Sequence, residues 1–234
     1  MRRSSSLAVM LSPLPRWFWL SLAFLVSLPA LCAQETSAVR TLYLVRHGFY
    51  DYVAGADDRT ANALNALGRD QAQLTGARLA NFPVKFTRVV SSEFTRARET
   101  GDLIAAALGQ ECKRDARLNE TTPPGAGLRP EQIDAPAEAQ LAAAWEQFTS
   151  PNASGDTHEL LVCHGNVIRW FVCRALGVDT KQWTRMEIAN CSLTMIQIRA
   201  DGVVRLQQFN EIAHVPVEKQ TWSGKGPAWP GRPR

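Results

Sequence analysis

Apolar residues fall in short blocks along this chain, and several blocks stop abruptly at polar residues. Thr41–Val45, Arg88–Ser91 and His158–Cys163 are short runs rich in β-formers, which predict buried strands. Helical spacing fills the gaps. Asn65 stands as an N-cap before a segment running to about Ala80, where Leu67 and Leu74, and Ala72 and Leu79, recur at seven-residue intervals. Pro83 stops that unit, Arg96–Leu108 predicts a helix closed by Gly109, and Glu111–Leu118 is a weaker strand-like piece. The Pro- and Gly-rich stretch Thr121–Pro136 predicts a loop, and Glu138–Phe148 and Asn166–Leu176 predict helices, the second closed by Gly177. Ser192–Ile198 and Val203–Phe209 flank Asp201-Gly202, a strong hairpin turn signal.

Strands alternating with helices predict an α/β fold: three layers, a mostly parallel central sheet with helices on both faces, and an antiparallel edge from the terminal hairpin. In such sheets ligands bind beyond the carboxyl ends of the strands. Here those ends carry Arg46-His47, then Ser91-Ser92 with Arg96 close behind, then His164. Three strand ends thus deliver arginines and histidines to one rim.

Composition changes the picture at the N-terminus. The chain has 234 residues, 45% hydrophobic and 21% charged, which excludes a disordered protein and fits one full-sized domain. Arg2, Arg3 and Arg16 lie in an acid-free leader, so the remainder is near neutral and offers no nucleic-acid surface. The apolar run Trp17–Leu28 follows, then Pro29 and small residues to Ala33. This predicts a signal peptide over 1–33, or an uncleaved membrane anchor, and a periplasmic or secreted location. Residues 34–40 read as a linker, 41–216 as the domain and 217–234 as a loose tail. The cysteines beyond the leader (Cys112, Cys163, Cys173 and Cys191) have no C-x-x-C spacing, and the histidines have no ligand spacing, so neither a metal nor a cofactor is expected. Export permits disulfides, whose pairing stays open.

The rim suits a phosphate monoester. Arg46 and Arg96 offer planar forks of donors, and the helix beginning after His164-Gly165, with Asn166 in its first turn, adds free N–H groups. By spacing alone Arg98 serves as well as Arg96. A neutral imidazole is a capable nucleophile towards phosphorus, and a second one can bond the oxygens as charge builds. Glu120, opening a loop, fits a general acid. Asn210 and His214 read as structural.

Leu44-Val-Arg-His-Gly48, then Ser91-Ser92 with Arg96-Ala97 and Glu99-Thr100, then His164-Gly165-Asn166 resemble, in that order, the histidine phosphatase (phosphoglycerate mutase-like) superfamily. Longer stretches at Leu64–Ala80, Lys85–Ser92 and Cys163–Leu176 are most similar to its mitochondrial serine/threonine-protein phosphatases. The resemblance implies that His47 is phosphorylated, that Arg46, Arg96 and His164 hold the phosphate, and that Glu120 donates a proton. It also favours Arg96 over Arg98. Glycolytic mutases of the family carry Glu after Arg-His-Gly and a long basic segment after the catalytic Glu. Here Phe49-Tyr50 and the short Thr121–Gly127 stand instead, which disfavours a mutase or sugar-phosphate phosphotransferase. The other alternative is a phosphate-binding module without turnover. The expected partner is a phosphate ester, small or on a protein, with no nucleic acid, and with a membrane only through the N-terminal segment.

Overall fold

A computed structural model of the chain describes residues 38–152, 155–224 and 226–227. The expected leader, residues 1–33, lies outside the described residues, as does most of the expected linker. Arg40, at the linker's end, already belongs to the first strand. The elements run β1 (Arg40–Arg46), α1 (Ala66–Ala80), β2 (Arg88–Ser91), α2 (Thr95–Ala107), β3 (Cys112–Arg114), α3 (Ala137–Thr149), β4 (Thr157–Cys163), α4 (Gly165–Leu176), β5 (Leu193–Ile198) and β6 (Val204–Glu211). Asn65 caps α1 by accepting from the Gly68 N–H, and Gly177 closes α4 in the left-handed conformation.

The six strands form one sheet in the order β3-β2-β4-β1-β5-β6. Strands β3, β2, β4 and β1 are parallel, whereas β5 runs antiparallel to β1 and pairs with β6 as the hairpin. The expected mostly parallel sheet with an antiparallel edge is therefore present. Its two faces carry separate cores. Leu79, Ile104 and Ala105 of α1 and α2 pack with Tyr43, Val45, Val89 and Leu160. Leu141 and Phe148 of α3 pack with Ile168 and Phe171 of α4 on Leu42, Leu44 and Leu161. Period-two alternation along β1 feeds both faces.

This topology opens a crevice at one place. β1 and β4 are neighbours, yet the helix after β1 goes to one face and the helix after β4 to the other. Ligand sites of open α/β sheets sit at such a divergence. The amino ends of the same strands are tied by charge. Buried Glu159 of β4 receives Arg40 of β1 through Nε and Nη2, each at 2.9 Å, and Arg88 of β2 through Nη2 at 2.5 Å. One carboxylate thereby holds three adjacent strands in step.

One expectation is corrected. Residues 217–221 are not loose: Gln220 and Thr221 are buried, and Gln71 on α1 donates to the Lys219 carbonyl at 2.6 Å. A polar segment has no hydrophobic pattern to announce its docking, because hydrogen bonds hold it. Cys112, Cys163, Cys173 and Cys191 are all free thiols, so no disulfide joins them.

Removing one member of a buried ion cluster leaves its partners uncompensated, at a cost of about 3–5 kcal/mol. Glu159→Ala is expected to lose that much in urea unfolding. A loss below about 1 kcal/mol would contradict the role given to this carboxylate.

Candidate active site

Sheet register brings the two rim histidines together. Arg46, the last residue of β1, pairs with Cys163, the last of β4, so His47 and His164 emerge side by side. Their ring centroids are 5.1 Å apart and both residues are buried. The ladder continues past the strand ends, with His47 N–H donating to the Cys163 carbonyl and Ser92 N–H to the Val162 carbonyl, each at 2.9 Å. Gly48 is required by close approach: a Cβ there would stand 2.5 Å from the Gly68 carbonyl oxygen of α1.

The hydrogen bonds fix both tautomers. His47 Nδ1 lies 2.8 Å from the Gly48 carbonyl oxygen, which can only accept. Nδ1 therefore carries the proton, and Nε2 keeps its lone pair. Asn119 Oδ1 must face the Glu93 N–H that donates to it at 2.8 Å, so the Ser92 hydroxyl, 2.9 Å away, donates to the same oxygen. Ser92 Oγ then accepts from His164 Nε2 at 2.8 Å. His164 Nδ1 is left buried without a partner in the protein. Burial, helped by the Arg46 and Arg96 charges, holds His47 well below its ordinary pKa. Burial also depresses His164, with His47 and the same arginines adding to it.

Arg46 and Arg96 complete a cationic wall. Each leaves a buried Nε without a protein partner. Arg46 Nη1 donates to the Ile188 carbonyl at 2.7 Å. Burial pushes its pKa down to about 10, which keeps it charged at neutral pH. Arg96 Nη1 donates to Asp58 at 2.5 Å, and its guanidinium lies 4.7 Å from the centre of the Tyr50 ring. Arg98 instead reaches Thr95, by a 3.4 Å bond on its own helix. A Cβ on Gly165 would sit 3.6 Å from Arg46 Nε, so the N-terminus of α4 faces the same wall. Three buried polar atoms without protein partners (two Nε and one Nδ1) beside a helix N-terminus are the chemistry of an anion site.

Glu120 borders this wall. Burial raises its pKa, against the opposing pull of Arg169, Arg96 and Arg46. An open cleft of about 510 Å³ spreads out from it, lined in part by Arg59, Phe94, Asn119, Thr121, Ile133 and Pro136. Asn166, expected on the phosphate, stands in the first turn of α4. Its Nδ2 donates to the Thr121 carbonyl at 3.0 Å, which ties the loop after Glu120 to α4, and its Oδ1 accepts from Arg169 at 2.5 Å. Asn210 accepts from the Ala189 N–H, and His214 bonds Glu211, Thr75 and the Cys191 carbonyl, each away from the wall.

Sequence reasoning missed Arg169, Asp58, Tyr50 and Asn119. Arg169 carried a signal, since it lies one helical turn beyond Gly165 and so on the same side of α4. Asp58 sat in a polar loop like any solvated acid, and only folding brings it to Arg96. Among the described residues no group of three or more His, Cys, Asp or Glu side chains is arranged to hold a metal.

The family model of the histidine phosphatase superfamily (branch 1) matches residues 42–158 and 137–212. The mitochondrial serine/threonine-protein phosphatase Pgam5 of Caenorhabditis elegans is 36% identical over 197 residues, spanning 80% of this chain and 68% of the relative. Its Homo sapiens counterpart is 36% identical over 201 residues, spanning 81% and 68%. A phosphoglycerate mutase from Plasmodium falciparum superposes with a TM-score of 0.55 at 27% identity, over 76% of this chain and 95% of that one. YhfR of Bacillus stearothermophilus shares the fold, with a TM-score of 0.61 at 18% identity, over 76% and 100%. The expected periplasmic or secreted location is overturned by the relatives, which are mitochondrial. A basic, acid-free leader before an apolar run is an address, and composition does not fix its destination. Among the described residues no helix is long and apolar enough to cross a membrane.

The depressed histidines make stability depend on pH. An unfolded histidine titrates near 6.5, whereas folded His47 and His164 stay neutral well below that. Between those limits the unfolded chain binds more protons, so the stability present above about pH 6.5 declines as pH falls. Urea melts should show a fall of up to about 1.4 kcal/mol per pH unit for each histidine between pH 6.5 and 5. Glu120 acts oppositely, its contribution being present at acid pH and lost as pH rises through its raised value. His164→Asn isolates the histidine part and should flatten the slope; an unchanged slope would contradict the assignment.

Proposed function

The chain belongs to the histidine phosphatase superfamily, and on that premise we propose that it hydrolyses phosphate monoesters through a phosphohistidine at His47. The observation that carries this reading is the Nδ1–H bond from His47 to the Gly48 carbonyl, which commits one ring nitrogen and keeps the other as a lone pair beside two guanidiniums. The phosphate would sit against Arg46 Nε, Arg96 Nε, His164 Nδ1 and the first N–H groups of α4. A bound dianion draws a proton onto His164 Nδ1, which turns it into a donor. Nε2 of His47 attacks phosphorus as the P–O ester bond breaks, and Glu120 hands its proton to the departing alkoxide. Water then attacks the phosphohistidine, gives a proton to Glu120, and the N–P bond breaks. Every group returns to its starting state. The arginines, His164 and the N–H groups of α4 supply the charge stabilisation, so the proposed reaction calls for no metal.

The names of the relatives favour phosphoserine and phosphothreonine proteins as substrates. The open cleft beyond Glu120 suits an extended leaving group of that kind.

Glu120→Gln should reduce turnover of an alkyl phosphate such as phosphoserine by about 10²–10⁴-fold, the range of one general acid. It should slow p-nitrophenyl phosphate far less, because that leaving group departs without a proton. Equal slowing of both would move the acid elsewhere. EDTA should leave wild-type turnover intact, and loss restored by a divalent cation would overturn metal independence. Transfer of the phosphoryl group to a second substrate position, rather than to water, would mark a mutase.

A further inference from the structure

The turn His47–Phe49 has all its hydrogen-bonding backbone groups satisfied, and two of the bonds lead out of the site to the C-terminal segment. His47 N–H reaches Cys163, the Gly48 N–H reaches the Thr100 hydroxyl at 3.0 Å, and the Gly48 carbonyl takes His47 Nδ1. The Phe49 carbonyl accepts from the Asn65 N–H at 3.4 Å, and the remaining two go to amide side chains. The His47 carbonyl accepts from Asn190 Nδ2 at 2.8 Å, and the Phe49 N–H donates to Gln71 Oε1 at 2.9 Å.

Backbone groups have fixed polarity, so both amides are oriented without ambiguity. Asn190 must turn Oδ1 away from His47, and Gln71 must turn Nε2 away from Phe49. Both remaining ends meet on one atom. Thr221 Oγ accepts from Gln71 Nε2 at 2.9 Å and donates its proton to Asn190 Oδ1 at 2.9 Å. The Thr221 carbonyl also accepts from the Asn190 N–H at 2.9 Å. Gln71, Asn190 and Thr221 are all buried. A closed ring therefore runs from the His47 carbonyl through Asn190, Thr221 and Gln71 to the Phe49 N–H, gripping the backbone on both sides of Gly48. Only a hydroxyl, donor and acceptor at once, closes it.

We infer that Thr221 is a positioning residue for the nucleophile: through Asn190 and Gln71 its hydroxyl holds the turn that aims His47 Nε2. The C-terminal segment beyond the last strand is thus part of the catalytic apparatus. This inference rests on the phosphohistidine reading for its kinetic consequence, though not for its structural one. An error of about 1 Å in the aim of a reacting atom costs on the order of 10²-fold in rate, so a partial loosening should be visible in turnover.

The test compares full-length wild type, Thr221→Val, Thr221→Ala and Thr221→Ser by p-nitrophenyl phosphate kinetics and by NMR of the histidine ring nitrogens. Thr221→Val should lower kcat about 10-fold or more with KM within about twofold, and Thr221→Ser should restore it. In the same variant the His47 ring signals should shift or broaden while those of His158 stay in place. Thr221→Ala removes the hydroxyl without setting a methyl against the Asn190 carbonyl oxygen, and should match Thr221→Val. Wild-type kcat together with unmoved His47 signals in either variant would overturn the inference. Failure of both variants to fold, seen by circular dichroism, would overturn it too, because the hydroxyl would then serve folding alone. If wild type hydrolyses no phosphate ester, the phosphohistidine reading falls, and the His47 ring signals alone decide whether Thr221 aims the turn.

Discussion

Parallel β1 and β4 are held so that Arg46 stands opposite Cys163, and everything at the site follows from that registration. A one-residue slip of β4 would send His164 to the other face of the sheet and carry the N-terminus of α4 with it. Two sets of forces oppose such a slip. At the amino ends, Glu159 binds arginines from both neighbouring strands. At the carboxyl ends, backbone bonds from His47 and Ser92 extend the ladder to the residues that do chemistry. Between them the strands are buried on both faces, so their apolar side chains add a further penalty to any shift.

The fold also sets protonation states that the proposed reaction needs. Excluding water beside two guanidiniums disfavours another positive charge, which keeps both imidazoles neutral before substrate arrives. The same burial disfavours a negative charge on Glu120, which raises its affinity for a proton. One cause, withdrawal of solvent, thus prepares a base and an acid in the same cavity. Opposing it, the arginines favour an ionised Glu120, so the poise of that carboxyl reflects two large effects of opposite sign. A phosphate dianion would relieve the crowding of positive charge and give the unsatisfied Nε and Nδ1 atoms their partners.

The rim was legible because its parts follow strands, and strands announce themselves by apolar runs with abrupt ends. His47, Ser92 and His164 could be assigned to one edge without knowing the strand order. Choosing Arg96 over Arg98 needed the family resemblance, since both stand at the start of a helix and only packing turns one inward. Asn166 was read for the phosphate alone, because a helix N-terminus suggests contact with an anion, and its bonds to Thr121 and Arg169 leave no mark in the sequence. Thr221, Gln71 and Asn190 lay beyond sequence reasoning altogether: polar residues that bury themselves through mutual hydrogen bonds leave no periodic trace. The address of the N-terminal leader failed for another reason, as its composition is shared by several destinations.

The most direct measurement is phosphorus NMR of the enzyme quenched in base during turnover, with the modified peptide identified. One ring nitrogen of His47 is bound to the Gly48 carbonyl, so the account predicts a base-stable, acid-labile phosphoryl group on Nε2 of His47. A phosphoryl group on Nδ1, on His164 or on a hydroxyl, or turnover with no phosphoenzyme in a trap that captures fast intermediates, would contradict it.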